Sequence, residues 1–201
     1  MSNYSIEDTN TFQIVRHTAA FLCLCSGRRI HDLTLLCVDS KHCSIQDDCI
    51  VFWPLFGSKT DCRDYRQSGW KLLNNPENQN LNPIYWINKT INILNDRRRS
   101  SGSTNLFISL RGKPSPASRT VIAGWFKSLL KEAGISDTPG SVRAAVASRN
   151  WINNFSIEEI LARGNWKSVK TFQKFYCREV IGSSGTNLIS NSVTPLFDSA
   201  P

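Results

Sequence analysis

Four short segments of this sequence hold side chains suited to chemistry at a phosphate. They are Ser26-Gly27-Arg28-Arg29-Ile30-His31-Asp32-Leu33, Thr138-Pro139-Gly140-Ser141-Val142-Arg143, Gly164-Asn165-Trp166 and Thr171-Phe172-Gln173-Lys174-Phe175-Tyr176-Cys177-Arg178. A guanidinium donates paired hydrogen bonds to phosphate oxygens and stays charged at any physiological pH. A pair such as Arg29 and Arg143 can therefore stabilise the negative charge that builds on phosphorus oxygens during a displacement. A tyrosine oxygen such as that of Tyr176 attacks once its proton is lost, and neighbouring guanidiniums favour the phenolate. The indole N–H of Trp166 is a further donor for a phosphate oxygen. Phosphoryl transfer often recruits Mg²⁺ instead, yet the sequence offers no compact Asp/Glu cluster to hold two metals. Taken singly, each residue has a plain alternative. Arg29 and Arg143 read as surface charge, Trp166 as core, and Tyr176 as a filler beside Phe172 and Phe175.

The composition is compatible with that chemistry without requiring it. The 201 residues are 40% hydrophobic and carry a net charge of +8. That is enough for one sizeable core, with a basic excess that suits an anionic partner. No run of 18 or more apolar residues is present, and the polar first ten residues do not read as a signal peptide. The seven cysteines are an odd number, read as reduced thiols inside a cell. Cys37, His42, Cys43 and Cys49 match no familiar zinc spacing.

The elements that must position these residues follow from periodicity and punctuation. A helix is expected from about Thr11 to Cys25, with Phe12, Val15, Ala19 and Leu22 at helical spacing and Gly27 as its stop. A short helix with Ile30, Leu33, Leu35 and Leu36 comes next. Val38 to about Phe56 reads as strands, and Gly57 to Gln67 as a polar turn leading to a strand around Trp70 to Leu73. After an Asn-rich loop, Asn82 and Pro83 open a helix that ends in Arg97, Arg98 and Arg99, a run placed either on DNA or at a helix C-terminus. Further helices are expected from Ser115–Pro116 to Gly134, from Ser141 to about Asn153, from a Ser156–Glu159 capping box to Gly164, and from about Val169 to Val180. The fold class is α+β, mostly helical with a small antiparallel sheet. Residues 1–8 are expected to be a flexible N-terminus, 9–181 one domain and 182–201 a flexible tail.

In their order, the four segments resemble the boxes of the tyrosine recombinases, or phage-type integrases, over about residues 9 to 180. The resemblance implies that fold and a metal-independent DNA strand transferase that needs no cofactor, acting in DNA recombination and integration. Tyr176 would form a 3′-phosphotyrosyl bond, and Arg29, Arg143 and Trp166 would bind the phosphate. A lysine from the strand hairpin between the first two boxes would protonate the leaving oxygen, with Lys59 the candidate and Lys71 the alternative. Double-stranded DNA would be the partner, bound by a homo-oligomer, with no small-molecule substrate and no membrane.

Three departures matter. Arg28 stands where an apolar residue is usual, Gly140 stands at the histidine position, and Tyr176 lies ten residues after Trp166, one more than a common bacterial spacing. Thr-Phe-x-x-Phe-Tyr-x-Arg looks like the form in eukaryotic mobile elements, which implies a nuclear location. Without the histidine, the alternative is a catalytically impaired, DNA-binding remnant, unless His31 or Lys167 substitutes. Family members also carry a helical domain ahead of the catalytic one, so the chain is expected to be a fragment, a truncated copy or a protein retained for another purpose.

Overall fold

The computed structural model describes residues 10–175 and 196–200. The expected N-terminal arm, Tyr176 and residues 177–195 lie outside them. Among the described residues the chain forms eight α-helices and one four-stranded antiparallel sheet in the order β1-β2-β3-β4. This is the α+β architecture that the periodicities predict. No helix among the described residues is long and apolar enough to cross a membrane.

Helix α1 (Thr11–Ser26) runs through the centre. Asn10 and Gln13 close a reciprocal capping box at its start, and Gly27 ends it in a left-handed turn at φ 63°. Ile14, Val15, Ala19 and Leu22 are buried, and Thr18 bonds Thr90 of α3 at 2.8 Å. Arg16 is buried too and pairs with Glu132 at the end of α5.

Helix α2 (Ile30–Leu33) is a single turn, so Leu35 and Leu36 fall beyond it, still buried. Strands β1 (Cys43–Ile45), β2 (Cys49–Phe52) and β3 (Gly69–Leu73) follow. The connection from β2 to β3 is the long polar loop 53–68. Ile50, Phe52, Trp70 and Leu72 face the core.

The single helix expected after Pro83 is two, α3 (Pro83–Ile93) and α4 (Asn95–Ser101). They break at Leu94, which is fully buried with φ −96° and ψ 2°. The arginine run explains how the break is tolerated. Arg98 turns inward and donates to the carbonyls of Ile91, Asn105 and Leu106, each at 3.0 Å, covering a carbonyl in the last turn of α3. Arg97 clamps the carbonyls of Ser109 and Gly112. Of the three, Arg99 alone stays exposed without these ties.

Helix α5 (Arg119–Glu132) starts later than its Pro116 suggests. Residues 115–117 run back along 107–109, with Ala117 N–H on the Phe107 carbonyl at 2.9 Å, and Ser118 then caps the helix.

Helices α6 (Ser141–Ile152), α7 (Ile157–Gly164) and α8 (Val169–Phe175) close the chain around a second small core of Ala147, Ile160, Trp166 and Phe172. The end of the expected flexible tail is instead strand β4 (Phe197–Ala200), paired to β3 with Phe197 opposite Leu72. Phe197 is fully buried against Trp70, which gives this short segment an apolar anchor.

Candidate active site

The turn at residues 27–29 is where the site begins. Gly27 carries its left-handed φ at the end of α1, and a side chain there would press on Val146 of α6 at 3.1 Å. The next two residues are both arginine and diverge. Arg28 is almost wholly buried. Its guanidinium donates to the Arg163 carbonyl at 2.7 Å, to Gln67 Oε1 at 3.1 Å, and to Ser68 through the carbonyl and Oγ. It also lies over the rings of Trp70 and Phe197. Burial pulls its pKa down to about 10. Arg28 is therefore a structural cation, which accounts for a charge at an ordinarily apolar position.

Arg29 caps α2, and its backbone N–H donates to Asp32 Oδ2 at 3.1 Å. Its Nη1 is sealed from solvent, yet meets no hydrogen-bond partner among the described residues. A buried charged donor left in that state is costly unless a ligand completes it.

Arg143 stands in the first turn of α6 and is buried. Its Nη1 donates to the Gly27 carbonyl at 2.8 Å. The turn that presents Arg29 thus also holds Arg143. The guanidinium of Arg143 lies 3.7 Å from the centre of the Trp166 ring, a cation–π contact. Gly164 is needed for this stack, because a Cβ there would fall 1.6 Å from Trp166. Trp166 is thus both core, packed on Phe172, and part of the site. Helix α8, docked through Phe172, ends at Phe175, immediately before Tyr176.

Lys59 lies in the loop between β2 and β3 and is exposed, but the residues on either side of it are buried. Ser58 Oγ donates to Asp32 Oδ1 at 2.9 Å. Asn165, left-handed at φ 55° between Gly164 and Trp166, donates through Nδ2 to Thr60 Oγ1 at 2.6 Å and Ser58 Oγ at 3.2 Å. Asp61 gathers the loop further by accepting from the backbone N–H groups of Gly57, Ser58 and Gln67. Lys71, the alternative, sits on β3 between Val51 and Asp198 in register. The structure thus joins the Arg29, Arg143, Trp166 and Lys59 segments through direct contacts.

The histidine position is open. Gly140 is the exposed N-cap of α6 with φ −70°, and a Cβ there would meet only Thr138 Oγ1 at 3.8 Å. His31 turns its Nε2 to the Gly57 carbonyl at 3.1 Å. Lys167 lies 3.4 Å from Cys62 Sγ and over the Tyr65 ring. Both substitutes are engaged with the Lys59 loop. The backbone N–H of Asp64, then Lys167, lower the Cys62 thiol pKa, whereas burial raises those of Cys23 and Cys25. His42 faces Asp39 at 2.9 Å, and no metal-binding cluster of His, Cys, Asp or Glu occurs among the described residues.

Sequence reasoning missed Ser58, Thr60, Asn165 and the inward turn of Arg28. The one available signal was polar residues flanking a single lysine.

No family model matches this chain, and no curated protein matches it. Solved structures do. The chain is similar to XerA recombinase, with 20% identity and a TM-score of 0.57 over 90% of this chain and 60% of that one. It is similar to XerH site-specific recombinase, bound to its difH substrate in a pre-cleavage complex, with 11% identity and a TM-score of 0.60, over 88% and 46% of the two chains. It is also similar to the Tn1549 transposon integrase in complex with transposon right end DNA, with 17% identity and a TM-score of 0.53, over 81% and 54%. The chain spans between 46% and 60% of the length of these structures. At these identities the likeness shows the fold, which is that of a tyrosine-recombinase catalytic domain.

Proposed function

We propose that this catalytic-domain fold binds double-stranded DNA and cleaves and rejoins it through a 3′-phosphotyrosyl intermediate, in DNA recombination or integration. One observation carries the reading: a single turn presents Arg29 and, through the Gly27 carbonyl, holds Arg143. In this reading the Tyr176 O–H gives its proton to water as its oxygen attacks phosphorus. The bond from phosphorus to the 5′-oxygen breaks, and Lys59 gives that oxygen a proton. Arg29 and Arg143 carry the extra negative charge of the five-coordinate state. The phosphotyrosine keeps the phosphodiester energy, so attack by a 5′-hydroxyl reverses the step. No metal ion enters this scheme. The similar XerH and Tn1549 integrase structures are complexes with difH substrate and with transposon DNA, and the net charge of +8 suits such a partner. The domain would work as a homo-oligomer on DNA, and the form of its last segment favours a nuclear setting.

Gly140 favours a second reading, a DNA-binding remnant with impaired cleavage. A histidine at that position would add an acid–base group, and loss of one typically costs ~10²–10⁴ in rate.

Covalent trapping separates the two. The protein is incubated in EDTA with nicked DNA whose cleaved end diffuses away, beside Tyr176→Phe and Gly140→His. A denaturant-resistant adduct that disappears in Tyr176→Phe supports the enzyme. An adduct from Gly140→His alone supports the impaired remnant. DNA binding with no adduct from either would overturn the cleavage assignment.

A further inference from the structure

We infer that Asn165 is a positioning residue for the leaving-group proton, holding the loop that presents Lys59; this rests on the cleavage reading above. The carboxamide is buried, at 1% exposure. It spends its bonds in one place. Nδ2 donates to Thr60 Oγ1 at 2.6 Å and to Ser58 Oγ at 3.2 Å, the two residues that flank Lys59. Its Oδ1 accepts from Tyr65 O–H at 3.2 Å, in the same loop. Ser58 then donates to Asp32, whose other oxygen holds the Arg29 backbone.

One buried chain of hydrogen bonds therefore runs from the Arg29 turn, through both neighbours of Lys59, to the residue before Trp166. The loop backbone is fixed independently by Asp61 and by His31 on Gly57. Asn165 adds the link to α7, which sets where the lysine stands relative to the Arg143–Trp166 stack. Lys71 lies in the sheet, paired in register with Val51 and Asp198 rather than in this loop.

Asn165 occupies a left-handed conformation. Asn165→Gly therefore removes the amide and leaves the backbone unstrained. Thr60→Val removes one acceptor at nearly constant shape, and Thr60→Ser keeps it.

The test compares initial rates of adduct formation on ordinary nicked DNA and on DNA with sulfur bridging at the 5′ position of the scissile phosphate. Sulfur leaves as a thiolate and needs much less protonation at neutral pH. On ordinary DNA, Lys59→Ala should fall by about 10²-fold, Asn165→Gly and Thr60→Val by about tenfold, and Thr60→Ser little. On the sulfur substrate, Lys59→Ala, Asn165→Gly and Thr60→Val should return to within about threefold of the parent, while Arg143→Ala stays slow. Equal losses for Asn165→Gly on both substrates would overturn the inference, since a general loss of structure is blind to the leaving atom. So would an unchanged Asn165→Gly beside a slow Lys59→Ala. Absence of any Tyr176-dependent adduct from the parent on either substrate is a different failure: it removes the cleavage reading itself.

Discussion

Arg28 and Arg29 are adjacent in sequence, and the two regions they enter are opposites. Around Arg28 the chain supplies everything the cation needs: four acceptor contacts and two aromatic faces. Around Arg29 a sealed Nη1 is left without a partner among the described residues. A guanidinium whose donors the fold fills does structural work, whereas one left with an unfilled donor keeps hydrogen-bonding capacity that the fold does not use. Charge counted in a sequence is therefore not charge available to a partner. Arg98, buried on three carbonyls, makes the same point in the Arg97–Arg99 run.

The largest expected effect tests the first half of the comparison. Arg28→Ala leaves buried acceptors in loop 67–68 and at the end of α7 unpaired and should cost about 3 kcal/mol or more in urea unfolding. Arg29→Ala removes an orphaned donor, so its stability should match the parent within about 0.5 kcal/mol or rise. Equal losses in the two variants would erase the distinction.

A partly buried base, His17, sharpens it. It packs on Trp86 with ring centres 4.1 Å apart, and burial, with Arg16 beside it, lowers its pKa to about 4. Between the unfolded value near 6.5 and about 4, the unfolded chain binds the proton and the folded chain does not. Stability is therefore full above pH 6.5 and falls as the pH drops toward 4, by roughly 2–3 kcal/mol. His17→Gln should flatten that part of the pH–stability curve.

A Cβ at Gly164 strikes Trp166. Gly164→Ala should displace the ring from Arg143, cost about 1–3 kcal/mol in thermal unfolding and quench the adduct. The smallest effect belongs to the open side. A Cβ at exposed Gly140 meets only Thr138 Oγ1, at 3.8 Å, so Gly140→His should stay within about 0.5 kcal/mol of the parent in stability.

Where the candidate residues fall in the fold was legible because they lie at element ends that glycine, proline and capping residues mark: Gly27, Gly140, the Ser156 capping box and Gly164. The order of the boxes placed Arg29, Arg143 and Trp166, and the strand pattern placed Lys59 between β2 and β3. What stayed hidden depends on side chains that meet across long sequence separations. Nothing local distinguishes Arg28 from Arg29, because the cage comes from residues 67, 68 and 163. The link from Asn165 to Ser58 and Thr60 has no periodicity to betray it. The break at Leu94 interrupts an intact apolar stripe, and it is Arg98 that makes it tolerable. Strand β4 is four residues long, and the one large apolar side chain it carries is Phe197.

The central claim is that Arg29 and Arg143 meet the charge of one DNA phosphate. It is tested most directly by replacing a non-bridging oxygen of the scissile phosphate with methyl, which removes that charge. On ordinary DNA, Arg29→Ala and Arg143→Ala should each form the Tyr176 adduct about 10²–10³-fold more slowly than the parent. On the neutral methylphosphonate most of that deficit should vanish. An undiminished deficit on the neutral substrate would contradict the claim and return both arginines to the structural role that Arg28 holds.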